Sequence, residues 1–140
     1  MIHPEYLQTV FLFEGSDQGE WTRPFAIVTA WNPNGIDTPA NENEALDRRL
    51  VDELDGSAEV SSHRLIWGCS RDFQHREASR LIWGLSLEKA IEIGRAYQQE
   101  AIFWVNKEGI RVHSCTCEAV EALEDFLVFD SPDHRGALED

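Results

Sequence analysis

Four polar residues, Asn32, Asn43, Glu77 and Gln99, stand beside the ends of the strands and helices expected from this sequence. Strand C-termini and helix N-termini are where clefts open in folds with crossovers. Amides and a carboxylate converging there can bind a polar small molecule. A buried carboxyl between amides is also tuned toward neutral pH. Glu77 could then serve as general acid or base, with Asn32, Asn43 and Gln99 orienting a substrate. The same residues have a purely structural reading. Asn43 would satisfy backbone groups at a helix start, Asn32 would make an Asx-type turn, and Gln99 would brace a loop. Amides without a nucleophile, a base pair or a metal are weak catalytic signals, so the structural reading leads. On that reading Asn32→Ala costs about 1–3 kcal/mol through unsatisfied buried polar groups.

Two other constellations contain reactive residue types. His113, Cys115 and Cys117 alternate, so an extended strand would point all three to one face. They are weak metal candidates, because same-side residues on a strand lie about 6.6–7 Å apart along the chain. Three ligands on one straight strand cannot close a tetrahedral site. Small core thiols and one hydrogen-bonded histidine are the simpler expectation. Cys69 has His75 six residues on, but a nucleophile and its base need contact at about 2.6–3.2 Å. An inert buried thiol is again expected. No phosphate-cradling glycine loop, G-x-S-x-G elbow, H-E-x-x-H pair or dinucleotide fingerprint occurs. No cofactor is therefore expected, and catalysis is not favoured.

The elements that must position these residues follow from hydrophobic period and turn chemistry. Leu7–Phe13 reads as a strand and 14–24 as a loop containing Trp21. Phe25–Trp31 is apolar at both parities, so it is a central strand covered on both sides. Asn32-Pro33-Asn34-Gly35 stops it, and Pro33 biases Asn32 toward extended backbone. Ala40–Asp55 reads as a helix capped by Asn41, with Leu46, Leu50, Val51 and Leu54 as its stripe and Gly56 as its end. His63–Ser70 and Arg80–Leu85 read as strands joined by a polar loop over 71–79. Both contain Arg-Leu-Ile-Trp-Gly, at 64–68 and 80–84. The pair is either a duplication or two adjacent strands meeting similar demands, and Trp67 and Trp83 could flank one another across the hairpin. Ser86 caps a second helix, Leu87–Gln99, in which Gly94 is explained by a close approach to the sheet. Ala101–Val105 and Ile110–Cys115 form a hairpin turning at Gly109. Glu118–Val128 carries apolar residues at helical spacing and reads as a third, acidic helix.

The expected order is β-β-α-β-β-α-β-β-α. Hairpins mixed with helical crossovers imply an α+β domain. Its sheet should be mixed and largely antiparallel, with about six strands and two or three helices. The domain is expected over 1–130, with a flexible acidic tail over 131–140.

The chain has 140 residues, 42% hydrophobic and 27% charged, and a net charge of −14. This is an ordinary globular composition at a common domain size, sufficient for a core without disulfides or metal. The acidity argues against binding a nucleic-acid backbone or an anionic membrane. It fits a basic protein partner. It also permits an acidic mimic of nucleic acid, although the acids alternate with apolar stripes along the helices. Three cysteines and no apolar run long enough to span a bilayer point to a cytoplasmic setting.

Several short motifs occur in a characteristic order: Thr29-Ala30-Trp31-Asn32-Pro33, then Glu42-Asn43-Glu44-Ala45-Leu46, Glu77-Ala78-Ser79 and Gln99-Glu100-Ala101-Ile102-Phe103. The order resembles a bacterial family of small proteins known as a domain of unknown function, number thirty-two ninety-three, from about Tyr6 to Val112. That family often has Pro where this chain has Ala78. The resemblance implies fold boundaries and the site shortlist, and no chemistry. The reading that follows is a bacterial accessory protein that binds a small polar ligand or a protein partner without catalysis. The alternatives are a small enzyme built on Glu77 and the acidic nucleic-acid mimic.

Overall fold

The computed structural model describes residues 4–13, 23–124 and 128–130. The expected loop over 14–24, with Trp21, falls largely outside these residues, and the tail over 131–140 wholly so. The fold is α+β, with one mixed and largely antiparallel sheet and two helices. A 3-10 turn, Pro4–Gln8, leads into β1, Val10–Phe13. β2 is Phe25–Thr29, and α1 is Ala40–Asp55. The hairpin β3, Ser62–Cys69, and β4, Arg76–Trp83, follows. α2, Leu87–Ala96, leads to the hairpin β5, Ala101–Asn106, and β6, Gly109–Ser114. Short strands β7, Val120–Ala122, and β8, Val128–Asp130, complete the sheet.

The strand order is β7-β6-β5-β2-β4-β3-β1-β8. All neighbours are antiparallel except β1 and β8. β2 lies inside the sheet, as its apolar residues at both parities require: Phe25, Ala26, Ile27 and Val28 are all buried. Ala26, Val28 and Ala30 pack under the helices with Leu50, Leu54, Ile82 and Ala90. Phe25 and Ile27 face the other side, with Phe11, Ile66, Leu81, Trp83 and Phe103. On that side the rings of Phe11 in β1 and Phe103 in β5 meet edge-on at 5.3 Å. Three strands separate β1 from β5, and flat strands lie about 4.8 Å apart. The sheet must therefore curl, and its concave face closes on its own core.

The helix starts show which local signals hold. Ser86 caps α2 as expected, its Oγ accepting from the Lys89 N–H at 3.2 Å. Asn41 does not cap α1; the helix begins at Ala40 after Pro39, with no side-chain cap. Gly94 does mark a close approach: a Cβ there would lie 2.6 Å from Ile102 and 2.7 Å from the Cys115 Sγ. Gly109 turns the last hairpin at φ 126°.

Three expectations are corrected. The loop expected over 71–79 is shorter, because the β3–β4 ladder runs on to the Cys69–Arg76 pair. Glu77 is consequently a strand residue. Trp67 and Trp83 do not flank one another. Trp67 lies opposite Ala78 and Trp83 opposite Ser62, on different faces of the sheet. The third helix is replaced at Val120–Ala122 by an edge strand paired with Arg111–His113, while 128–130 pairs with β1. Residues 125–127 lie outside those described. The apolar spacing of this segment suited a helix, but the open edge of β6 offered unpaired backbone groups that a strand satisfies.

Candidate functional site

Asn32 ends the buried run from β2 and turns the chain through left-handed backbone, φ 50° and ψ 60°. This overturns the extended geometry expected before Pro33. Asparagine tolerates the left-handed region better than most residues, and its side chain is held here on three sides. Its Oδ1 accepts from the Thr38 N–H at 3.0 Å and from the Asn43 Nδ2 at 3.0 Å. Its Nδ2 donates to the Glu77 Oε1 at 2.9 Å. Asn43, in the first turn of α1, returns the contact: its Oδ1 accepts from the Asn32 backbone N–H at 2.9 Å. Its Nδ2 also donates to the Thr38 carbonyl at 3.0 Å.

The three residues thus form one connected network joining the end of β2, the first turn of α1 and the start of β4. Asn43 is buried, and both of its amide groups are spent on the loop between β2 and α1. Gln99 is buried next to this network and does not enter it. Its Nε2 donates to the carbonyls of Trp31, at 2.9 Å, and Tyr97, at 3.2 Å. It fixes the residue before Asn32 through backbone. Thr29 adds a further tie, donating from its Oγ1 to the Ala78 carbonyl at 2.8 Å. Asn43 and Gln99 thus brace loop backbone, whereas Asn32 makes no Asx-type turn: its side-chain oxygen reaches the Thr38 N–H, six residues on.

Glu77 differs from its partners. It is half-buried on the concave side of β4, and among the described residues the Asn32 amide is its one side-chain hydrogen-bond partner. Burial raises its pKa above the ordinary carboxylate value. The Asn32 hydrogen bond opposes this rise, and the charges of Asp37 and Glu5 add to it. Tyr6 lies in the same field: burial, then the charges of Glu100 and Glu77, push its phenol upward. The β3 residue opposite Glu77 is Gly68, so no side chain stands across from the carboxyl on that strand. On the other face Trp67 meets Trp31 edge-on at 5.8 Å, and the Arg76 guanidinium lies 5.0 Å from the Trp67 ring centre. The Trp31 indole Nε1 is buried and finds no hydrogen-bond partner among the described residues.

The sulfur-containing candidates are in separate settings. Cys115 is fully buried against α2, and burial pushes its thiol up to about 11. Cys117 is exposed, and a hydrogen bond with Ser114 lowers its pKa. His113 is half-buried on β6, and burial followed by the charge of Arg111 lowers its pKa. Among the described residues no three His, Cys, Asp or Glu side chains converge in an arrangement that would hold a metal ion. Cys69 is buried, with its thiol pushed up to about 11 by burial, the reverse of what a thiolate nucleophile needs. No described helix is long and apolar enough to cross a membrane.

Sequence reasoning identified the side chains of the network and missed the backbone they share. Thr38, which both gives its N–H to Asn32 and accepts from Asn43, had no signal beyond its place before a proline. Tyr6 was likewise unmarked, because its approach to Glu77 is made by the curl of the sheet.

No curated protein and no solved structure matches the chain. A family model described as a protein of unknown function (DUF3293) matches residues 28–102, which include Asn32, Asn43, Glu77 and Gln99. That match spans more than half of the chain, and the chain therefore belongs to the DUF3293 family.

Proposed function

We propose that this protein is a non-catalytic cytoplasmic accessory protein that binds a small polar ligand with a cationic, hydrogen-bond-donating head, and that Glu77 is the recognition group. The observation that carries this reading is the asymmetry within the network. Asn32 and Asn43 spend their amides on one another and on backbone. Glu77 receives a single neutral donor from them while in the field of Glu5 and Asp37. A half-buried carboxylate whose side-chain partner among the described residues is a neutral amide gains most from a charged donor. An odd count of three cysteines, two of them buried, fits a reducing compartment.

The test is a titration of the protein with n-butylamine and n-butylguanidine, followed by NMR at Trp31, Trp67 and Glu77, with n-butanol as the uncharged control. Binding of either cation, weakened at least about tenfold by Glu77→Gln, supports the reading. An absence of binding, or binding indifferent to Glu77→Gln, refutes it.

A second reading is favoured by the raised pKa alone. A carboxyl whose ionisation is delayed by burial can give and take a proton closer to neutral pH. Glu77 would then be a general acid or base, with Asn32 orienting it. Turnover found in a broad substrate panel and lost in Glu77→Gln would establish this reading in place of the first.

A further inference from the structure

β7 is one end of the sheet. It is tied to β6 through every second residue. The Ser114 N–H donates to the Ala119 carbonyl at 2.9 Å, and the Leu123 N–H to the Ile110 carbonyl at 3.0 Å. Glu121, opposite Val112, lies between these two ties. Antiparallel ladders alternate, so Val120 and Ala122 aim their N–H and C=O groups away from β6. Among the described residues nothing pairs with those outward groups.

The side chains give this edge a chemical character. All three β7 residues are exposed. Val120 is a large apolar side chain at 46% exposure, opposite His113 on the helix side of the sheet, with Ala122 beside it opposite Arg111. The Arg111 guanidinium is met by Glu108 at 3.3 Å, and burial, then the Arg111 charge, lowers the His113 pKa and keeps it neutral. Glu121 is on the other face, and Glu118 and Glu124 flank the strand. These three acids are exposed, and no ion pair among the described residues uses them.

We infer that β7 is a docking edge for an extended, basic segment of a partner protein, which adds to it as a further antiparallel strand. Lys or Arg would stand opposite Glu118, Glu121 and Glu124, and apolar residues opposite Val120 and Ala122. The main-chain bonds supply affinity, and the alternating side chains supply specificity. Charge on an edge strand ordinarily prevents self-pairing, and here it selects the partner. A second copy fits badly. The antiparallel register that joins the outward groups of Val120 to those of Ala122 in another chain sets Glu121 against Glu121 and Glu118 against Glu124. Like charges directly opposite one another destabilise a sheet, and each chain carries a net −14. Strands β6, β5 and β2 separate β7 from β4, so the assignment does not rest on Glu77.

The peptide Ac-Lys-Thr-Val-Lys-Val-Thr-Lys-NH2 places lysines and valines at the required positions. Its titration into the full chain, followed by 1H–15N NMR and amide hydrogen exchange, tests the assignment. Shifts are expected at β7. Exchange should slow at least about tenfold at the outward amides of Val120 and Ala122, and change little at Glu121, which β6 already holds. A peptide with glutamate in place of each lysine should bind at least about tenfold more weakly, and Glu121→Lys should weaken the lysine peptide by a similar factor. Val120→Pro removes one outward N–H and spares the ladder to β6, so it should fold and lose the peptide; if it does not fold, Glu121→Lys decides. The proposal is overturned by no shifts at β7, by binding without slowed exchange at Val120 and Ala122, or by equal affinity for the glutamate peptide. Unchanged affinity in Glu121→Lys overturns it too. So does a dimer of the chain alone, seen by sedimentation and dissociated by Val120→Pro, because a second copy then takes the edge.

Discussion

The two copies of Arg-Leu-Ile-Trp-Gly occupy neighbouring strands and lead opposite lives. β3 and β4 pair antiparallel with Arg64 opposite Leu81 and Leu65 opposite Arg80. The copies are thus one residue out of step, and counterpart residues face opposite sides of the sheet. Ile66 packs in the concave core, and Ile82 packs under the helices. Trp83 is only 1% exposed in the concave core, while Trp67 is half-buried on the opposite face beside Phe73. Arg80 reaches α1 and holds Asp47 through two hydrogen bonds, at 3.1 and 2.6 Å. Arg64 is exposed on the other side. Gly68 continues a strand, and Gly84 leaves one at φ 104°. Identical local sequence therefore gave a shared strand preference and left register to decide which residues became core.

The tryptophans provide the widest separation. Trp83→Ala should cost about 3–5 kcal/mol by emptying a buried ring site, and Trp67→Ala about 1–2 kcal/mol, since solvent already reaches its ring. Chemical denaturation of both variants checks this, and equal losses would break the comparison. The glycines come next. A Cβ at Gly84 would collide with the Glu59 carbonyl and lie 2.8 Å from the Ser61 nitrogen, at a backbone angle that disfavours side chains. Gly84→Ala should cost about 3 kcal/mol. At Gly68 the same Cβ meets only ordinary contacts at 3.8–3.9 Å, so Gly68→Ala should fall within about 0.5 kcal/mol of the parent. Thermal midpoints separate the two.

Arg80→Ala strands Asp47, which is only 15% exposed at its side chain. A loss of about 2 kcal/mol is expected, larger than that of Arg64→Ala, and a double-mutant cycle with Asp47→Ala should show the coupling. Asn32→Ala falls in the range of about 1–3 kcal/mol, since it leaves Thr38, Asn43 and Glu77 without their shared partner. An unchanged denaturation midpoint would show that Asn32 serves binding and not the fold.

The smallest effect concerns Glu77, the residue opposite the last glycine of the first copy. Its folded pKa is raised above the ordinary 4.5, mainly by burial. Folding then favours the protonated form. Its contribution to stability is complete below the unfolded pKa and is lost as pH rises through the higher folded value. As pH rises above the ordinary value of 4.5, the parent should lose stability that Glu77→Gln retains. A parallel pH dependence in the two proteins would show that the carboxyl is not desolvated.

The site residues were legible to different degrees. Asn32 and Asn43 could be chosen from the sequence because amides beside a proline and at a helix start have backbone groups to satisfy. Their mutual contact could not be seen, because it spans eleven positions and depends on how the loop folds over α1. Glu77 reads from the sequence as a loop residue, since Arg76, Glu77 and Ser79 are too polar to announce a strand. Ladder hydrogen bonds from β3 override that weak preference.

What the sequence determined by itself was periodicity and punctuation. The stripe Leu46, Leu50, Leu54 with Gly56 specified α1 to its last residue, and apolar residues at both parities made β2 an interior strand. Ser86 and Gly109 set a cap and a turn, because these depend on neighbours within a few bonds. The tertiary structure alone decided the curl that brings Tyr6 toward Glu77, the opposite faces of the two pentapeptides, and the strand at Val120–Ala122. Each depends on partners distant along the chain: the open edge of β6, the register of β3 on β4, and the concave core that draws Phe11 onto Phe103. Side-chain period states which residues want burial, and only the arrival of a partner states against what they are buried.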